Sequence, residues 1–208
     1  MHPSEALGHD HLHHEHLEEA RRASADNRLL GIWIFLSGEC AFFASLIGTY
    51  LSVHANTAGG PTGAQLFDLP YTGAATLVLL TSSLTAVLGT VALNRGNLRA
   101  LQSWLLVTAF LGLVFLEFEG FEFYSFWKAG LTLQRSAFGS AFYTLVGFHA
   151  MHVSFGVFWL LSLLFLTLRK GLTTDTSSRL YIASLYWHFV DVVWVVIFTV
   201  VYLLGKVA

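Results

Sequence analysis

Between Arg135 and Arg169 the chain runs for 33 residues without an Asp, Glu, Lys or Arg. A helix crosses the roughly 30 Å hydrocarbon layer in about 20 residues, so this stretch is long enough to span it and to tilt or extend beyond it. Four further apolar runs accompany it, at about 29–53, 71–94, 101–124 and 180–204, with the longest covering about 138–168. Irregular backbone is not tolerated against lipid, so runs of this length predict helices. The fold class expected is therefore all-α, an integral membrane bundle of five transmembrane helices. Composition agrees: of 208 residues 55% are hydrophobic and only 12% charged, about half the charged fraction of an average soluble domain.

Other classes recede on the same grounds. A net charge of −2 gives no footing for nucleic acid. The single cysteine, Cys40, excludes an internal disulfide and a thiolate metal set. Residues 1–28 have no apolar core of the signal-peptide kind, so the chain is expected to enter the membrane by its own helices. Three prolines and no Gly/Ser linker point to one transmembrane domain, 29–208, behind a polar tail, 1–28. His2, His11, His13, His14 and His16 make that tail His-rich; it reads as a solvated segment with adventitious metal affinity at most. No internal repeat of the transporter kind is visible.

Basic residues set the orientation. Arg21, Arg22, Arg28, Arg95, Arg99, Arg169, Lys170 and Arg179 fall on the N-terminal side, against Lys128, Arg135 and Lys206 on the other. The positive-inside bias places the N-terminus in the cytoplasm and the C-terminus outside. Trp33, Tyr50, Trp104, Tyr124 and Tyr202 lie near span ends and suit the interfacial aromatic belts.

Ionisable residues inside four of the five runs carry the functional information, because such groups are costly in hydrocarbon and face protein. Glu39 lies about ten residues into the first span; a structural polar contact or a lipid-facing group is the plainer reading, a proton relay the sharper one. Glu119 and Glu122 share a helix face at i, i+3 near the outer end, where bridging to a basic residue such as Arg135 is cheap, and they read as a structural pair rather than a catalytic one. His149 and His152 share a face of the fourth span; without further ligands they read as interhelical hydrogen-bonding groups rather than a metal or haem site. His188 and Asp191 repeat that spacing beside Trp194, suiting either a coupled pair or two separate neighbours. Gly139, Ser140, Gly147, Ala150, Ser154 and Gly156 would let the fourth helix approach its partners closely. No phosphate-binding loop, nucleophile elbow, HExxH or CxxCH motif is present.

Five segments then stand out in order. They are Leu30-Gly31-Ile32-Trp33-Ile34-Phe35-Leu36 with Gly38-Glu39, Leu116 to Phe123, Ser140 to His149, His152-Val153 with Gly156, and Ser184 to Trp194. Together they resemble subunit III of the haem–copper terminal oxidases, in the five-helix bacterial form that lacks the two N-terminal helices of the seven-helix form. The resemblance covers about 29–205. It implies a subunit without haem or copper of its own, those cofactors belonging to subunits I and II. It further implies packing on subunit I, contacts with subunit II and a small subunit IV, structural phospholipid in a cleft, and support of proton uptake while the complex reduces O₂ to water and pumps protons. The implied place is a bacterial inner membrane.

Carried over by residue, Glu39 matches that form's buried carboxylate of the first helix, and Glu119 and Glu122 match its acidic pair. His149, His152, His188, Asp191 and Trp194 match its polar positions on the last two helices. Ala150 stands where many relatives have glycine after the first histidine. Leu80 to Thr85 and Leu131 to Gly147 look more like the cytochrome c-linked type, close to the one with cytochrome c fused to the copper A subunit, than like quinol oxidases. A stand-alone proton or ion transporter is the alternative from another class.

Overall fold

A computed structural model describes Asn27 and residues 30–207. The His-rich tail lies outside the described residues. Among the described residues, five helices are long and apolar enough to cross a membrane. They are α1 (Leu30–Val53), α3 (Leu69–Asn94), α4 (Leu98–Lys128), α5 (Ala137–Lys170) and a last span built of α6 (Thr174–Ile197), a π-helical segment (Phe198–Leu203) and α7 (Leu204–Val207). A single turn, α2 (Gly63–Leu66), precedes α3, and no strand occurs among the described residues.

Side-chain caps fix where the helices start. Asp68 accepts from the Tyr71 amide, with Pro70 in the first turn, and Asn97 accepts from the Ala100 amide. Ser136 accepts from Gly139 and Thr173 from Thr176. Each cap satisfies an amide that has no partner within its own helix. Spans two to five consequently start before their apolar runs: at 69 rather than 71, 98 rather than 101, 137 rather than 138 and 174 rather than 180. The polar first turn of α6 holds itself together through Arg179 and Asp175, 2.9 Å apart at i, i+4. Gly96 and Gly171 take φ of 67° and 68° beyond the ends of α3 and α5, a backbone conformation that a Cβ disfavours.

The described residues fall into two compact units that divide between Glu39 and Cys40. In the described part of the first, Ser37 donates to the Trp33 carbonyl, Ile32 and Leu36 are buried, and Glu39 is half-buried. In the second, α3, α4, α5 and α6 pack in a closed ring, each against two others. Residues 40–53 of α1 lie along α5, with Phe42 5.0 Å from Phe148 and Phe43 5.0 Å from His152.

Glycines admit Trp187, one of the two tryptophans that are the largest fully buried side chains. A Cβ at Gly112 would stand 2.6 Å from Trp187, and one at Gly156 would stand 2.8 Å from it. Glycine at both positions lets α4 and α5 close on the α6 indole. The small-residue stripe expected along α5 holds in part. Gly139 and Gly156 are closely approached, but nothing lies within 4 Å of a Cβ at Gly147, and Ser154 is exposed.

Candidate functional site

The buried polar side chains of the second unit form a column along α3, and α3 supplies most of the hydroxyls. At the N-terminal end of α3, Thr72 and Tyr202 both donate to the Glu122 carboxylate, at 3.0 Å and 2.6 Å. Tyr202 reaches it because of the π segment. In a regular α-helix residue 202 would sit about 80° round from residue 194. The wider π turn brings it back over Trp194, ring centroids 5.9 Å apart. Glu119 is buried beside Glu122, and its Oε2 has no hydrogen-bond partner.

One level further in, the Trp194 indole donates to Thr76 at 3.0 Å. His149 lies against the same indole, 4.8 Å between centroids, and its Nε2 is 3.3 Å from the Val190 carbonyl. A carbonyl only accepts, so Nε2 carries the hydrogen and Nδ1 is a buried acceptor without a partner. Below this the Trp187 indole donates to Ser82, and Thr85 and Thr108 hydroxyls meet at 2.8 Å.

A second, half-buried seam joins α3 and α6. Thr90 donates to Ser184 at 3.2 Å, Ser184 is 3.4 Å from His188 Nε2, and Ser83 is 2.7 Å from His188 Nδ1. Asp191 lies buried beside Ser83, though neither carboxylate oxygen meets hydrogen-bond geometry. His188 and Asp191 therefore face the same α3 residue, Ser83, rather than separate neighbours.

Several expectations change. Glu119 and Glu122 do not bridge to Arg135, which donates instead to the Gly130 carbonyl at 3.2 Å. Neutral hydroxyls and burial take the place of that ion pair. His149 and His152 share a helix but not a target. His149 faces α4 and α6, while His152 Nδ1 donates to the Phe148 carbonyl of its own helix and the ring meets Phe43 of α1. Tyr50 and Tyr202 are no interfacial belt residues: they are 1% and 0% exposed, whereas Trp33 and Tyr124 are more than half exposed. Sequence reasoning missed Thr72, Thr76, Ser82, Ser83 and Tyr202. The available signal was the run of hydroxyl residues at 72, 76, 83 and 90 of an otherwise apolar span, spaced as one helix face.

Chemically the column can tie four helices together. Hydrogen bonds between membrane helices are worth about 0.6 kcal/mol on average and up to about 1.7. No three His, Cys, Asp or Glu among the described residues come close enough to hold a metal ion.

Comparison with known proteins points in one direction. Residues 18–206 match the family described as cytochrome c oxidase subunit III. The chain is 48% identical to cytochrome c oxidase subunit 3 of Bacillus sp. (strain PS3) over 181 residues, 87% of either chain. It is 41% identical to cytochrome bo(3) ubiquinol oxidase subunit 3 of Pseudomonas aeruginosa, covering 96% of this chain and 92% of that one. It is also 41% identical to quinol oxidase subunit 3 of Bacillus spizizenii, covering 85% and 87%.

Proposed function

The chain belongs to the cytochrome c oxidase subunit III family of the haem–copper oxidases, and from that premise we propose that it serves a proton-pumping oxidase fed by cytochrome c. The carrying observation is the higher identity to cytochrome c oxidase subunits, 48% and 47%, than to quinol oxidase subunits at 41%. In this reading the chain is a multi-pass subunit of a bacterial inner membrane that packs on subunit I, meets subunit II and a small subunit IV, and binds structural phospholipid. It supports the stability of the complex and its proton uptake.

The buried residues have a scaffolding role here. Glu122, Tyr202 and Thr72 fix the outer ends of α3, α4 and the last span; Trp194, Thr76 and His149 fix the middle; His188, Ser83 and Asp191 line the α3–α6 seam. Glu119 and His152 complete the polar set, and Glu39 is a half-buried carboxyl on α1. None is assigned a redox step, and O₂ chemistry is left to the haem and copper of partner subunits.

A second reading has its own support. The Pseudomonas ubiquinol oxidase subunit is matched over 96% of this chain, a wider span than the Bacillus cytochrome c oxidase subunit covers. Steady-state O₂ consumption by the complex purified through this chain separates the two. Rapid turnover with reduced cytochrome c and none with ubiquinol supports the first reading; the reverse pattern establishes the second.

A further inference from the structure

Glu117 is an acidic residue on the outside of a bundle that keeps Glu119 and Glu122 inside. Two residues along a helix turn a side chain by about 200°. Accordingly Glu117 is exposed where Glu119 and Glu122 are buried. It lines an open recess of about 410 Å³ with Tyr71, Phe118 and Phe121. The aromatic wall is built, not incidental. Tyr71 lies 5.1 Å from Phe118 and 5.8 Å from Phe121, and its hydroxyl donates to the Phe118 carbonyl at 3.2 Å.

We propose that this recess seats a transmembrane helix of another oxidase subunit, which brings a lysine or arginine to Glu117. The proposal rests on membership in a multi-subunit oxidase family. The recess offers a carboxylate among aromatic rings, the surroundings in which a guanidinium or ammonium gains both a charge-assisted hydrogen bond and a cation–π contact.

Depth selects the occupant. Asp68, exposed and capping α3, stands near the level of Glu122, because the Thr72 hydroxyl reaches both the Asp68 carbonyl, at 3.1 Å, and Glu122, at 3.0 Å, and it marks where the surface turns polar. Glu117 is five residues further in, roughly 7.5 Å at the α-helical rise. A phospholipid amine lies outside its own phosphate and would have to drag that phosphate below the polar boundary to reach Glu117. A basic side chain on a neighbouring helix can be presented at any depth. A second copy of this chain fits poorly, since a two-fold contact sets Glu117 against Glu117. Its own outer cations, Lys128, Arg135 and Lys206, all follow the ends of apolar runs rather than lying at this depth.

The test uses the intact complex in its native membrane, with photoreactive benzoyl-phenylalanine in place of the exposed Phe121. The expected adduct is a transmembrane peptide of another oxidase subunit with a Lys or Arg within about two turns of the cross-link. Glu117→Gln should lower detergent-stable retention of that subunit about 3- to 20-fold, the span of measured polar helix–helix couplings. Glu117→Lys should lower it further, and an acidic residue at the partner's cross-linked base should restore it. Adducts to lipid alone, to a second copy or to a peptide without a base would overturn the proposal, as would unchanged retention in Glu117→Gln. Haem absorbance of the same preparation separates the failures. With haem present, only the Glu117 assignment falls; with no haem-bearing chain, the oxidase reading falls and takes this one with it.

Discussion

Glu122 depends on two hydroxyl donors from different helices, and each can be removed singly. Tyr202→Phe leaves a buried acceptor one bond short, which costs about 1–3 kcal/mol. The expected outcome is a lower melting temperature of the purified complex with unchanged haem spectra. Glycines give a contrast of sign at the same scale. Gly156→Ala drives a methyl to 2.8 Å from the Trp187 ring and should destabilise by about 1–3 kcal/mol. Gly147→Ala meets nothing within 4 Å and should be neutral, or stabilising by up to about 1 kcal/mol. Thermal melts of the two variant chains in detergent check this; equal losses would mean that the close packing around Trp187 is misjudged. The Glu122 partners were hidden from the sequence for a physical reason. Thr72 lies 50 positions away and Tyr202 lies 80, so the pairing depends on which helices become neighbours. What the sequence did carry was the i, i+3 placement of Glu119 and Glu122 within an apolar run, which marks burial but names no partner.

At the scale of elements, the last span is the least regular. Its π segment exists to turn Tyr202 onto the face of Trp194, and this gives an asymmetric prediction. Deleting the exposed Thr199 relaxes the segment to α-helix and leaves the tyrosine about 20° from Trp194, seven steps of 100° on. Inserting an alanine after Thr199 rotates it away by about 100° and breaks the bond to Glu122, a loss of about 1.5–3 kcal/mol. The deletion should assemble near normally and the insertion poorly, read as the yield of intact complex. The reverse order would assign the π segment another role. Nothing in Phe198–Leu203 announces a π turn, because all six residues except Thr199 are apolar and suit an α-helix equally. Helix starts were blurred for a different reason. Residues 174–179 lie outside the apolar run, yet Asp175 and Arg179 pair across one helical turn, while Thr173 and Asn97 act as caps. By contrast, the existence and order of the five spans follow directly from the length of the apolar runs, and the structure contains all five among the described residues.

For the whole molecule, the loop charges predict a cytoplasmic N-terminus and an external C-terminus, with eight basic residues on one side and three on the other. Alkaline phosphatase fused after Ala208 should be active, and a fluorescent protein fused there after Sec-dependent export should stay dark. The opposite pair of results would invert the topology. Assembly is the larger question, because the column of hydrogen bonds along α3 organises helices and offers no ligand set for a redox metal among the described residues. The most direct measurement is a reduced-minus-oxidised visible spectrum of the complex purified through this chain from its native membrane in mild detergent. The account predicts haem bands that co-purify in fixed proportion to the chain and survive in Tyr202→Phe. A colourless preparation that transports protons or ions in liposomes by itself would contradict it.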